Sequence, residues 1–439
     1  MRQTIFTTLL IAIFSLSVCA QNIDTAKLDT YFKALETNNK FMGSVAVSKN
    51  GAIIYSKAVG FADVEAGIKA NENTKYRIGS ISKTFTSVLV FKAVEEKKLA
   101  LNQTIDKYFP AIKNADKITV KHLLSHRSGI HNFTDDDGYL TWNTQPKTEK
   151  EMIQIITKGG SDFEPDAKAA YSNSNFVLLT YILQKCFNKP FNKLLAQHIT
   201  QPVGLTNTYL GGKINTNKNE SKSYRFTEGW KTESETDISI PLGAGGVVST
   251  PGDLVKFSDA LFNGKLLKPE SVEMMKTIKD HYGSGLFQIP FYNNIGYGHT
   301  GGIDGFSSVF SHFSDRNISY ALTSNGTDVN NNDISIAVLS AVFGRSYKIP
   351  DFSTIELTSK DLDKYLGVYS SQQIPMKITL SKNNKTLSAQ ATGQSPFPLK
   401  ATAADKFKFD PAGIELEFNP TEKTMVLKQG GGKFTFTKE

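Results

Sequence analysis

The chain has 439 residues, 39% of them hydrophobic and 21% charged, which is enough apolar material for two or three real cores and excludes a disordered or low-complexity protein. Lys and Arg number 50 against 42 Asp and Glu, a formal charge of +8. The two signs are interspersed, and no basic tract or nucleic-acid motif occurs, so a nucleic acid is not an expected partner.

The first residues read as a targeting segment. Arg2 precedes the apolar run Ile5 to Phe14, and small residues lead to Val18-Cys19-Ala20. This pattern predicts a secretory signal cut after Ala20, hence an exported protein, periplasmic or secreted. The alternative is a lipoprotein signal acylated on Cys19; Val18 before that cysteine is larger than such signals normally allow, which favours simple cleavage. Removing residues 1–20 leaves Cys186 alone, so no internal disulfide is expected. No later run reaches the roughly 18 apolar residues of a membrane-spanning helix.

Residues 23–41 predict an amphipathic helix through Leu28, Tyr31, Phe32 and Leu35. Gly43 to Val47 and Ile53 to Tyr55 then flank Lys49-Asn50-Gly51, a strong hairpin signal. In Arg77-Ile78-Gly79-Ser80-Ile81-Ser82-Lys83, the only S-x-x-K of the chain, a hydroxyl and an amine stand three residues apart at a helix start. Positions i and i+3 share a helix face, so Lys83 is placed to act on Ser80, which as a hydroxyl is a weak nucleophile until a base assists it. The plainer reading is a serine N-cap with a lysine one turn on.

Around His122 to Ile130 a helix should end in a glycine turn. His122 and His126 lie at i, i+4, but no acidic ligand follows at a typical spacing, so they are expected to pack or anchor a loop, and no metal or cofactor is expected. Residues 131–170 are polar and read as a long connection over a cleft. Tyr171-Ser172-Asn173 then precedes a second buried helix through Phe176 to Leu183, so a phenol and an amide can converge from one turn. Gly243 to Leu254 reads as a glycine-rich turn, a short strand and a helix capped near Thr250; it lacks the spacing and lysine of a phosphate loop. Gly298-His299-Thr300-Gly301-Gly302 leads into strands Ser308 to Phe313 and Ile318 to Thr323, and its small residues allow close approach of a substrate backbone. From about residue 355 short alternating segments separated by turns predict an antiparallel meander, a small barrel or sandwich.

Ser80-x-x-Lys83, Tyr171-x-Asn173 and His299-Thr300-Gly301, in that order, resemble the serine β-lactamase and penicillin-binding-protein superfamily, and more narrowly its class C, D-Ala-D-Ala carboxypeptidase and esterase branch. Leu123 to Gly129 and Gly245 to Thr250 are similar to accompanying family segments, and the tail resembles a lipocalin-like β domain. The resemblance implies an α/β (α+β) fold: an antiparallel sheet flanked by helices and a mostly helical domain over residues 21–350, then a small all-β domain over 355–439. It implies that Ser80 is the acylated nucleophile, Lys83 its activator and Tyr171 a base or proton shuttle. Asn173, His299, Thr300 and Gly301 would bind substrate, and the N–H groups of Ser80 and Gly302 would form an oxyanion hole. A histidine at position 299, where β-lactamases carry lysine, is only partly charged near neutrality and favours the peptidase and esterase members. The expected activity is therefore hydrolysis of D-amino-acid peptides, amides or esters, with small-molecule or peptide substrates that include peptidoglycan-derived ones. The alternatives are a weak β-lactamase and a non-catalytic penicillin-recognition or envelope-binding protein.

Overall fold

The computed structural model describes residues 23–439. The expected signal segment 1–20, and Cys19 with it, lies outside the described residues.

Helix α1 (Thr25–Thr37) is capped by Asp24, whose carboxylate accepts from the Lys27 N–H at 3.0 Å, and it buries Leu28, Tyr31, Phe32 and Leu35. Strands β1 (Phe41–Lys49) and β2 (Ala52–Val59) form the expected hairpin. Asn50 and Gly51 both take positive φ, +52° and +78°, as a two-residue turn matched to strand twist requires.

Helix α2 (Ser82–Glu95) follows a single 3₁₀ turn, Gly79–Ile81. It is buried all round from Ser82 to Phe91, and its hydroxyls reach carbonyls of other segments: Thr84 donates to Gly285 and Thr86 to Gly243, each at 2.8 Å. Helices α3 (Val120–Leu124), α4 (Tyr139–Trp142), α5 (Glu149–Gly159), α6 (Asn173–Phe187) and α7 (Pro251–Phe262) come next. Residues 131–170 are thus not an open connection. The capping box Thr148-x-x-Glu151 starts α5, which buries Met152 and Ile156; with only two buried positions in eleven residues it reads as loop by composition.

The chain then returns to the sheet as β3 (Phe287–Phe291), β4 (Asn294–Ile303), β5 (Phe306–Phe313) and β6 (Ile318–Thr327), giving six antiparallel strands in the order β3-β4-β5-β6-β1-β2. Helix α8 (Asn331–Val342) closes this part. Strand alternation divides the core: Val45, Val47, Tyr320 and Leu322 pack with α1 and α8, whereas Ala46, Phe310 and Ala321 face the cluster built on α2, α6 and α7.

Eight strands from Gly367–Ser370 to Gly432–Lys438 form a closed antiparallel barrel, each pairing with the next and the last with the first through Tyr369 opposite Lys438. It has its own core, including Tyr365, Leu380, Phe407, Met425 and Phe436. The barrel meets the sheet at an ion cluster: Lys40 Nζ lies 2.7 Å from Asp328 and 3.1 Å from Asp410 of the barrel. The fold is therefore mixed α/β, with a sheet flanked by helices followed by an all-β antiparallel barrel.

Candidate active site

The 3₁₀ turn that carries Ser80 depends on glycine. Gly79 has φ +50°, and a Cβ there would stand 2.7 Å from the Gly302 nitrogen. The close approach sets the backbone of the Gly79-Ser80 peptide beside the end of β4. Ser80 does not cap the helix, so its hydroxyl is free for other partners.

Lys83, one turn on, is fully buried. Its Nζ donates to Ser80 Oγ at 3.0 Å, to Asn173 Oδ1 at 2.8 Å and to the Ala244 carbonyl at 2.7 Å. Burial holds this amine well below the ordinary lysine range, because the ammonium loses its water and no carboxylate replaces it.

Tyr171 stands just before α6 and donates its hydroxyl to Ser80 Oγ at 2.7 Å. Burial pushes the phenol above its usual value; the bond to Ser80 acts the other way but more weakly. His126 positions this tyrosine. Its ring stacks on Tyr171 with centroids 4.5 Å apart, and its Nδ1 accepts the Ser172 N–H at 3.1 Å. The two histidines spaced i, i+4 therefore part company: His126 anchors the Tyr171 loop, and His122 completes a capping box with Thr119 at the start of α3. Among the described residues no three His, Cys, Asp or Glu side chains converge as metal ligands.

Asn173 is the first residue of α6, and the protein itself occupies its amide. Oδ1 accepts from Lys83, while Nδ2 donates to Asn132 Oδ1 at 3.2 Å and Thr134 Oγ1 at 3.0 Å. It orients the lysine, and only the second lone pair of Oδ1 is left for another donor.

His299 also differs from the expectation of partial charge. It is 1% exposed, packs on Phe287 with centroids 4.2 Å apart, and donates from Nδ1 to the Thr300 carbonyl. Burial first, and the neighbouring Lys83 second, lower its pKa to about 3, so the ring is neutral at physiological pH and offers no charge to a carboxylate. Thr300 and Gly302 are exposed on the same strand.

Ser80 opens onto a cavity of about 370 Å³ whose wall includes Asn173, Ala244, Gly245 and Gly302. The glycine-rich segment 243–246 thus borders the cleft as its composition predicts. Sequence reasoning missed other residues of the wall, the apolar Phe133, Tyr139 and Leu140 and the acidic Glu233 and Asp304. No motif marks them, because the chain brings them together from three separate segments, around residues 133–140, 233 and 304.

The Beta-lactamase family profile matches residues 28–343. The teichoic acid D-alanine hydrolase of Staphylococcus aureus (strain MRSA252) is 28% identical over 279 residues, covering 62% of this chain and 68% of that protein. Among solved structures, the D-stereospecific amidohydrolase from Streptomyces sp. is 26% identical with a TM-score of 0.62, over 72% of this chain and 99% of that one. The octameric penicillin-binding protein homologue from Pyrococcus abyssi is 22% identical with a TM-score of 0.67 and shares the fold over 94% of this chain and 100% of its own. With its ordered Ser80, Lys83 and Tyr171 cluster on a helix-flanked antiparallel sheet, the chain belongs to the beta-lactamase family of the serine hydrolase superfamily.

Proposed function

We propose that this chain is an exported serine hydrolase that works through an acyl-enzyme on Ser80 and acts on D-amino-acid peptides, amides or esters. The observation that carries the reading is the pair of contacts on Ser80 Oγ, an amine at 3.0 Å and a phenol at 2.7 Å. Burial lowers the Lys83 pKa and so favours the neutral amine that can act as the base.

In the first step Ser80 Oγ bonds to the substrate carbonyl carbon and its proton passes to Lys83 Nζ. The N–H groups of Ser80 and Gly302 receive the oxyanion, where losing one donor typically costs about 3 kcal/mol of transition-state stabilisation. The C–N or C–O bond then breaks, the leaving group takes the Tyr171 proton, and Lys83 restores it. Water reverses the sequence to release the acid. Substrate class rests on two relatives whose names specify D-alanine hydrolysis and D-stereospecific amide hydrolysis. In this reading residues 21–350 carry the hydrolase, and 355–439 form a separate barrel domain with a structural or substrate-shaping role.

Intact-mass analysis after fluorophosphonate treatment, with peptide mapping, tests the nucleophile: the adduct is expected on Ser80, and an adduct on any other serine removes the assignment. A screen of p-nitrophenyl esters, D-amino-acid amides and a chromogenic cephalosporin then ranks the substrate classes.

A further inference from the structure

The wall of the Ser80 cavity has a one-sided charge. Two carboxylates line it, Glu233 and Asp304, and no lysine, arginine or histidine does. Lys83 is sealed beneath Ser80 by three acceptors, and His299 is buried and neutral. A substrate carboxylate seated here would meet no cation and would face a carboxylate.

The two acidic residues are not equivalent. Asp304 is internally committed: it pairs with the buried Arg77 at 3.0 Å and accepts from both the N–H and the hydroxyl of Thr236, at 3.0 and 2.7 Å. Glu233 is held in place by its backbone, whose N–H donates to the Ser223 carbonyl at 2.9 Å, and its stem packs on Gly305 at the turn after β4. Its only ionic partner among the described residues is Arg225, 2.9 Å away at one carboxylate oxygen, and that arginine side chain is 70% exposed. An exposed pair of this kind is weak, so a second cation can compete for the carboxylate. Phe133, Tyr139 and Leu140 also line the cavity and supply apolar surface suited to a side chain.

We infer that Glu233 recognises a free ammonium on the substrate group that occupies this cavity, so the enzyme selects amino-acid esters and amides with an unblocked α-amine over N-acylated or carboxylate-bearing ones. The inference rests on the acyl-enzyme reading and narrows it. It sets aside substrates whose recognised group is an anion, including β-lactams and peptides read through their C-terminal carboxylate.

The test compares kcat/KM for D-alanine p-nitroanilide and its N-acetyl derivative in wild type, Glu233→Gln and Arg225→Gln. Wild type should prefer the free amine by tenfold or more. Glu233→Gln should lower that ratio at least tenfold, mainly through KM, whereas Arg225→Gln should raise it by removing the competing cation. Opposite signs are diagnostic: if the ion pair were merely structural, breaking it from either side would have the same effect. Equal ratios in all three proteins, a preference for the N-acetyl compound, or a parallel loss in both variants would overturn the inference. Fluorophosphonate labelling of wild-type Ser80 separates the two levels. A labelled enzyme without amine selectivity refutes the role of Glu233 alone; failure to label removes the acyl-enzyme reading and this inference together.

Discussion

Replacing Tyr171 with phenylalanine removes one oxygen from the centre of the site and little else. The hydroxyl lies 2.7 Å from Ser80 Oγ, and the ring is fixed separately by its stack on His126. Burial lowers Lys83 and raises Tyr171, so the neutral amine is the more accessible base and the phenol stays protonated. In the proposed mechanism Tyr171 therefore serves as the proton shuttle that delivers a proton to the leaving group. Loss of such a positioned donor typically lowers the rate about 10² to 10⁴-fold, or roughly 3 to 5 kcal/mol of barrier at about 1.4 kcal/mol per decade. The folding cost is about 1 kcal/mol, one hydrogen bond, since Ser80 keeps its contact with Lys83. Steady-state and burst kinetics on one p-nitrophenyl ester, with a denaturation midpoint as control, measure both. His299→Ala should instead act through packing, costing about 2 to 4 kcal/mol of stability beside Phe287, with a smaller loss of kcat. Near-wild-type kcat in Tyr171→Phe together with collapse in a folded His299→Ala protein would reverse these roles and establish a Ser-His mechanism.

Gly79→Ala should cut kcat/KM at least a hundredfold and cost about 1 to 2 kcal/mol of stability, because φ is +50° and the new Cβ meets the Gly302 nitrogen at 2.7 Å; an active, equally stable variant would refute the tight approach. Acid should destabilise the fold through His299 and His312, whose folded pKa values fall to about 3 and about 4 by burial. The unfolded chain binds protons below about pH 6.5 while the folded rings do not, so their contribution is complete above that pH and declines below it, by roughly 4 kcal/mol in total at pH 5. Urea midpoints at pH 7 and 5 should show about half that slope in His312→Gln, and an unchanged slope would exclude His312. Lys40→Met should cost about 3 kcal/mol in a denaturation curve, since it leaves Asp328 and Asp410 in a nearly buried junction with only the half-exposed Lys400, 3.7 Å from Asp328, as a cation; a loss under 1 kcal/mol would show that the Lys40 pair does not fasten the barrel.

Legibility from sequence followed the range of the interaction. The first hairpin is written in Asn50-Gly51, and α2 in an apolar run that follows the serine and lysine pair, both local signals. Most barrel strands showed their alternation, but Phe397–Ala403 did not, because Pro398 and a bulge between Ala401 and Ala403 interrupt it. Closure of the barrel was not legible either: it depends on Tyr369 and Ser370 meeting Lys438 and Thr437 across the length of the domain. At the site, motifs pointed to Ser80, Lys83, Tyr171 and Asn173, which the structure brings together. What surrounds them came from burial, which no motif encodes: the neutral state of His299, the internal engagement of Asn173, and the carboxylate of Glu233 on the cavity wall.

Charge on the cavity wall and charge on the base are coupled. Lys83 can accept the Ser80 proton only while neutral, and it is kept so by burial rather than by a neighbouring cation. In the proposed recognition, a substrate ammonium at Glu233 would add positive charge to the cavity that Ser80 lines, which further disfavours the Lys83 ammonium and leaves the base free. A substrate carboxylate in the same place would favour that ammonium and remove the base before attack. As the oxyanion develops, the sign of the benefit changes: the negative charge then appears between the two backbone donors and favours protonation of Lys83, which is the product of the step. A substrate ammonium therefore keeps Lys83 neutral before attack, and the oxyanion offsets its opposition to the Lys83 ammonium as the proton arrives.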